Sequence, residues 1–142
     1  MPTPTDFPAV GRILSAGDDH VVFQPLNSNY EWKLLTEGKY DGPLNQRLEC
    51  FIRVAARKVY SVPSGGNFVQ PIFGPPRVIQ GRVKHLDDHQ MVLQATTHVI
   101  VDLPTEDDAY DLASGPLAER ALANVMALPG ARIEFLPQPA AR

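Results

Sequence analysis

Gly11-Arg12-Ile13 recurs as Gly81-Arg82-Val83, and Asp18-x-x-x-Val22-Phe23-Gln24 recurs as Asp88-x-x-x-Val92-Leu93-Gln94, at one offset and without a gap. Further matches follow in the same order. Thr36-Glu37 returns as Thr105-Glu106, and Tyr40-Asp41 as Tyr110-Asp111. Gly42-Pro43-Leu44 returns as Gly115-Pro116-Leu117, and Arg47-Leu48-Glu49 as Arg132-Ile133-Glu134. An ordered series of this kind indicates a duplicated unit, which constrains the fold more than any local pattern does. The units span residues 8–62 and 77–136, joined by residues 63–76. Each holds about 55 residues, too few to bury an adequate core alone. The reading is therefore one domain over residues 8–136, with the two units packed together.

Fourteen prolines and ten glycines cut the chain into short elements, which favours strands and turns over long helices. Strands are expected at 10–15, 20–24, 30–35, 48–62, 78–86, 90–95, 98–103 and 131–136. In the long strand, Leu48, Cys50, Ile52, Val54 and Ala56 share one face, and then the alternation slips. A strand changes face only by inserting a residue, so a β-bulge is expected near Ala55-Ala56. Leu117, Ala121, Leu122, Val125, Met126 and Leu128 fall at helical spacing, with Ser114 as N-cap and Gly130 beyond the end. That pattern predicts a helix within residues 118–131. The fold class is mainly β: an internally duplicated small barrel or pseudo-twofold sandwich with one helix near the C-terminus. In element order the second unit resembles an oligonucleotide/oligosaccharide-binding (OB) barrel. The loop at 63–76 is too rich in Phe, Val and Ile for a flexible spacer and is expected to be ordered. Residues 1–7 and 137–142 are expected to be loose tails.

No apolar run approaches the roughly 20 residues of a membrane helix. The N-terminus shows no secretory pattern. Cys50 is the only cysteine, so no internal disulfide forms, and a cytoplasmic location is the expectation.

Catalytic motifs are absent, and neither a cofactor nor an enzymatic activity is expected. The densest polar cluster is His85-Leu86-Asp87-Asp88-His89. It has the donor types of a zinc site. The first unit keeps the acids of this turn without the paired histidines, which makes a polar hairpin the simpler reading and leaves no metal ligands assigned. His98 and Asp102 lie on one strand face, where they form either a base and its orienter or a solvated polar row. Cys50 faces the core and reads as an inert thiol.

The charge distribution gives the strongest functional lead. The net charge is −3, yet residues 47–84 carry seven cations against one acid, and residues 85–142 carry nine acids against three arginines. The basic stretch interleaves Arg53, Arg57, Lys58, Arg77, Arg82 and Lys84 with the aromatics Tyr60, Phe68 and Phe73. Cations for phosphates and rings for bases are the parts of a single-stranded nucleic-acid groove. The function expected first is nevertheless a non-catalytic β-barrel binding or assembly module acting through protein contacts, with the single-stranded nucleic-acid binder as the alternative. In the assembly module, the aromatics serve protein contact or self-association, and the arginines pair with Asp102, Glu106, Asp107, Asp108 or Asp111.

Overall fold

The alternating apolar pattern condenses into strands almost throughout the chain. The computed structural model describes residues 2–136. In chain order the strands are β1 (Ala9–Ala16), β2 (His20–Pro25), β3 (Glu31–Leu35), β4 (Leu48–Val62), β5 (Phe68–Gln70) and β6 (Phe73–Gly74). They continue with β7 (Val78–Leu86), β8 (Gln90–Ala95), β9 (Thr97–Asp102), β10 (Tyr110–Asp111), β11 (Leu122–Ala127) and β12 (Arg132–Phe135). The helices among the described residues are two 3-10 turns of three residues each. The protein is mainly β.

Pairing closes two five-stranded rings that share β4. The first runs β1-β2-β3-β12-β4 and returns to β1; the second runs β4-β11-β7-β8-β9 and returns to β4. In the first ring β1 meets the start of β4 antiparallel, with Gly11 opposite Leu48, while β12 meets β3 parallel at Arg132↔Leu35. In the second, β11 meets β7 antiparallel, with Ala123 opposite Gly81, while β4 meets β9 parallel over Arg53–Ala55. The registers correspond closely. Arg12↔Gln24, Ile13↔Phe23 and Ser15↔Val22 carry an irregularity after Ile13; Arg82↔Gln94, Val83↔Leu93 and His85↔Val92 carry one after Val83. Each ring draws one strand from the other half of the chain. Thus Arg47-Leu48-Glu49 and Arg132-Ile133-Glu134, alike in sequence, do different work. The first leads into the strand beside β1; the second lies between β3 and β4.

The inner faces meet in one hydrophobic cluster. Trp32, Phe23, Ile13 and Leu34 fill the first ring, and Ile79, Met91, Leu93 and Val101 the second. Ile52, Val54, Ala56 and Val59 of β4 join them. The irregularity in β4 falls at Arg57, because Met126 opposes Lys58 while Ala127 opposes Ala56. This one-residue insertion lets β4 turn from one ring into the next.

The expected helix in residues 118–131 is absent; β11 occupies its centre. Leu122, Val125 and Met126 fit a helical face, but Ala123, Val125 and Ala127 also alternate, and all three of these are buried while Met126 is exposed. Both edges of β11 find backbone partners, β4 on one side and β7 on the other. Two ladders outweigh the local preference of six residues, a length at which periodicity alone does not separate strand from helix. Ser114, the expected N-cap, instead donates its backbone N–H to Ser61 Oγ at 3.1 Å.

The first residues are also better anchored than a loose tail. Pro4–Asp6 forms a 3-10 turn, and the Phe7 ring packs edge-on against His98 at 5.4 Å. The other expected tail, 137–142, lies outside the described residues. The loop at 63–76 contains β5, paired with β7, and β6, paired with β3.

Candidate functional site

Three strands place a polar row on the outer face of the second ring. Successive residues of a strand alternate faces, so the buried Ile79, Val125 and Val59 send their neighbours outward. Register aligns Phe68, Gln80, Asn124 and Tyr60 across β5, β7, β11 and β4, and below them Gln70, Val78, Met126 and Lys58. Hydrogen bonds hold the first row in place. Asn124 Nδ2 donates to Gln80 Oε1 at 3.0 Å, and Gln80 Nε2 donates to the Gly66 carbonyl at 2.8 Å. Tyr60 Oη–H points at Met126 Sδ, 3.7 Å away.

Lys58 and Arg57 are exposed beside this surface, and Arg77 enters it where its carbonyl accepts the Ala127 N–H at 2.8 Å. Arg82 and Lys84 extend the outward side of β7; Arg82 donates to the Arg120 carbonyl at 3.2 Å. Among the described residues Arg57, Lys58, Arg77 and Lys84 form no ion pair. The acids expected to neutralise them are engaged otherwise or stand apart. Asp102 accepts from Gln90 Nε2 at 2.8 Å, and Asp111 accepts from the Ala113 N–H at 3.2 Å.

Two members of the expected surface lie elsewhere. Arg53 is mostly covered, and its Nε donates to Glu134 Oε1 at 2.7 Å. Phe73 sits on β6 beside β3, at the first ring, and is 64% exposed together with Ile72 at 53%. Conversely, Asn124 and Met126 reach this surface and the buried Gln80 underpins it, yet all three escape the sequence reading. Two of them lie in the segment read as a helix, where outward alternation is invisible.

The histidine cluster is a built turn. Asp87 Oδ1 accepts the His89 and Gln90 N–H groups, both at 2.8 Å, and its Oδ2 lies 3.1 Å from His85 Nε2. These backbone hydrogen bonds, and then that of His85, hold the Asp87 carboxyl below its usual range. His85 is buried while His89 faces solvent. No three metal-capable side chains gather among the described residues. His98 and Asp102 do not pair: the His98 Nδ1–H donates to the Pro8 carbonyl at 3.0 Å.

Two clefts flank the first ring. The larger, about 810 Å³, opens between the connector after β3 and the strand β12. Leu35, Leu48, Ile133 and Phe135 floor it, and Lys39, Arg47 and Arg132 stand around it with Glu37, Asp41 and Glu134. Tyr40 stacks on Phe135 at 4.8 Å and donates its hydroxyl to the Pro43 carbonyl at 2.7 Å. Burial, and then the charge of Asp41, push the Tyr40 phenol above its usual range. The smaller cleft, about 560 Å³, shares Arg47 with the first and adds Arg12, Asn27, Asn29 and Asn45.

Comparison with protein-family models, with curated proteins and with solved structures finds no match for the chain. No helix among the described residues is long and apolar enough to cross a membrane.

Proposed function

We propose that the chain is a non-catalytic binding module built from two OB-like barrels of common origin, and that it holds single-stranded nucleic acid on the outer face of β4, β11 and β7. The ring orders support the architectural part. A three-strand meander, a first strand antiparallel to the fourth and a third parallel to the fifth make the OB arrangement, which binds oligonucleotides and oligosaccharides in many settings. The corresponding registers of the two rings support descent from one duplicated unit.

One observation carries the choice of ligand: Arg57, Lys58 and Arg77 stand without carboxylate partners among the described residues, around a face that bears Tyr60 and Phe68. Free cations meet phosphates, and aromatic rings stack on bases without regard to sequence. The face carries no set of nucleophile and base. The test is fluorescence anisotropy with short single-stranded DNA and RNA at low salt. Binding is expected to fall steeply as salt rises, because neutralised phosphates release counterions. Arg57→Ala combined with Lys58→Ala weakens binding to all sequences alike and flattens the salt slope. No detectable binding at low salt rejects the reading.

A second reading, contact with a protein partner or a second copy of the chain, is favoured by Ile72 and Phe73. They are 53% and 64% exposed in an otherwise ordered loop, and adjacent apolar side chains left in water mark contact surfaces. Light scattering on the protein and on Phe73→Ser separates self-association from a monomer.

A further inference from the structure

The duplicated halves differ where the second strand of each turns into the third. In the second ring Thr96 alone joins β8 to β9. In the first ring residues 26–30 join β2 to β3, and the added length walls the cleft of about 560 Å³ beside β1. The arginines of the repeated motif differ accordingly. Arg82, opposite Gln94, donates to the Arg120 carbonyl at 3.2 Å. Arg12, opposite Gln24, instead turns its Nε and Nη2 to Gln24 Oε1, at 3.0 and 2.7 Å. This bond fixes the guanidinium at the cleft and leaves its other N–H groups without partners among the described residues. Arg47 lines the same cleft and forms no ion pair among the described residues. The side-chain amides of Asn27, Asn29 and Asn45 line it too, and none of them holds a hydrogen bond among the described residues. No carboxylate of the described residues lines this cleft.

We infer that this cleft binds a small phosphorylated sugar, its phosphate on Arg12 and Arg47 and its hydroxyls on the asparagine amides. A guanidinium is a planar fork of donors that matches phosphate oxygens in pairs. Two of them on a wall without a carboxylate leave positive charge that the chain itself does not neutralise. The amides extend the inference beyond a bare anion. Phosphate oxygens only accept, so they would leave the carbonyl ends of Asn27, Asn29 and Asn45 unused, whereas sugar hydroxyls both donate and accept. A volume of about 560 Å³ falls within the roughly 300–1,000 Å³ of small-molecule sites. The Gln24 bond holds Arg12 in place before any ligand arrives, which lowers the cost of binding. No residue of the cleft belongs to the nucleic-acid face, and neither reading requires the other.

The experiment uses the full chain, labelled with nitrogen-15, and titrates it at one ionic strength with inorganic phosphate, ribose 5-phosphate, glucose 6-phosphate and the two free sugars. Saturable shifts at the side-chain amides of Asn27, Asn29 and Asn45 are expected with a sugar phosphate, at an affinity about tenfold or more above that of inorganic phosphate. The free sugars should leave these amides unmoved. Arg47→Gln, an exposed change that keeps the fold, is expected to weaken binding about tenfold or more, through loss of a charge-assisted contact. Asn27 and Asn45 both have φ of 60°, so glycine keeps the backbone there while removing the amide. Asn27→Gly combined with Asn45→Gly should bring sugar-phosphate affinity down toward that of inorganic phosphate. Four results overturn the inference: no saturable shift at the cleft, an unchanged affinity in Arg47→Gln, equal affinities for inorganic phosphate and both sugar phosphates, or the same shifts with a single-stranded oligonucleotide that lacks a terminal phosphate. The last would make the cleft a part of the nucleic-acid surface.

Discussion

Cys50 concentrates much of what holds the shared strand. It lies opposite Ala9 on one side and Phe135 on the other, with no exposed surface. Burial, helped by the charge of Glu49, pushes its thiol up to about 12 from an ordinary value of 9.0. The folded thiol holds its proton more tightly than the unfolded one. Its contribution to stability is therefore complete below pH 9.0 and is lost as pH rises from there toward 12. Native protein at pH 8 should resist iodoacetamide, whereas denaturant should expose one reactive thiol per chain. Rapid native modification would contradict the packing. The burial of Cys50, Ile52, Val54 and Ala56 was legible in their alternation. That of Phe51, on the opposite face, was not. Phe51 belongs to a small outer cluster with Val92 and Ile100, capped by Phe7, and no local pattern announces a cover supplied from so far along the chain.

The repeated Gly-Arg-hydrophobic motif marks where a first strand crosses the second too closely for a side chain. A Cβ on Gly81 would overlap the Gln94 carbonyl, and one on Gly11 would overlap the Gln24 carbonyl. Backbone cannot rotate away as a flexible side chain can. Gly81→Ala is expected to cost about 1–3 kcal/mol, as overpacking does in well-filled interiors. Gly66→Ala, which meets no atom within 4 Å, serves as the neutral comparison in the same denaturant titration. Equal midpoints would refute the crossing. At this scale the hairpins and the β4 bulge were legible because alternation, Gly and Asp report local geometry directly. β11 was not. Leu122, Ala123, Val125 and Met126 satisfy both periods, and the choice was made by two neighbouring strands distant in sequence.

The two rings share β4, exchange strands and pack around one hydrophobic cluster. Neither can open without stripping a partner from the other. Thermal unfolding is thus expected as one transition, with calorimetric and van't Hoff enthalpies equal. Two separated transitions would show the rings to be independent. Nothing in the sequence told which strand closes which ring. Arg132-Ile133-Glu134 looks like Arg47-Leu48-Glu49 and nevertheless sits one strand further around, since position in a sheet depends on the edge left vacant rather than on the strand's own residues. The same insertion sets the timetable of biosynthesis. A ribosome releases β1 to β4 long before it makes Phe135, and until then β3 and the start of β4 present bare backbone to the cell. The amino-terminal half of this protein cannot complete its own ring until β12 has been made. Nascent chains halted before Arg132 should be digested by protease where the finished chain resists.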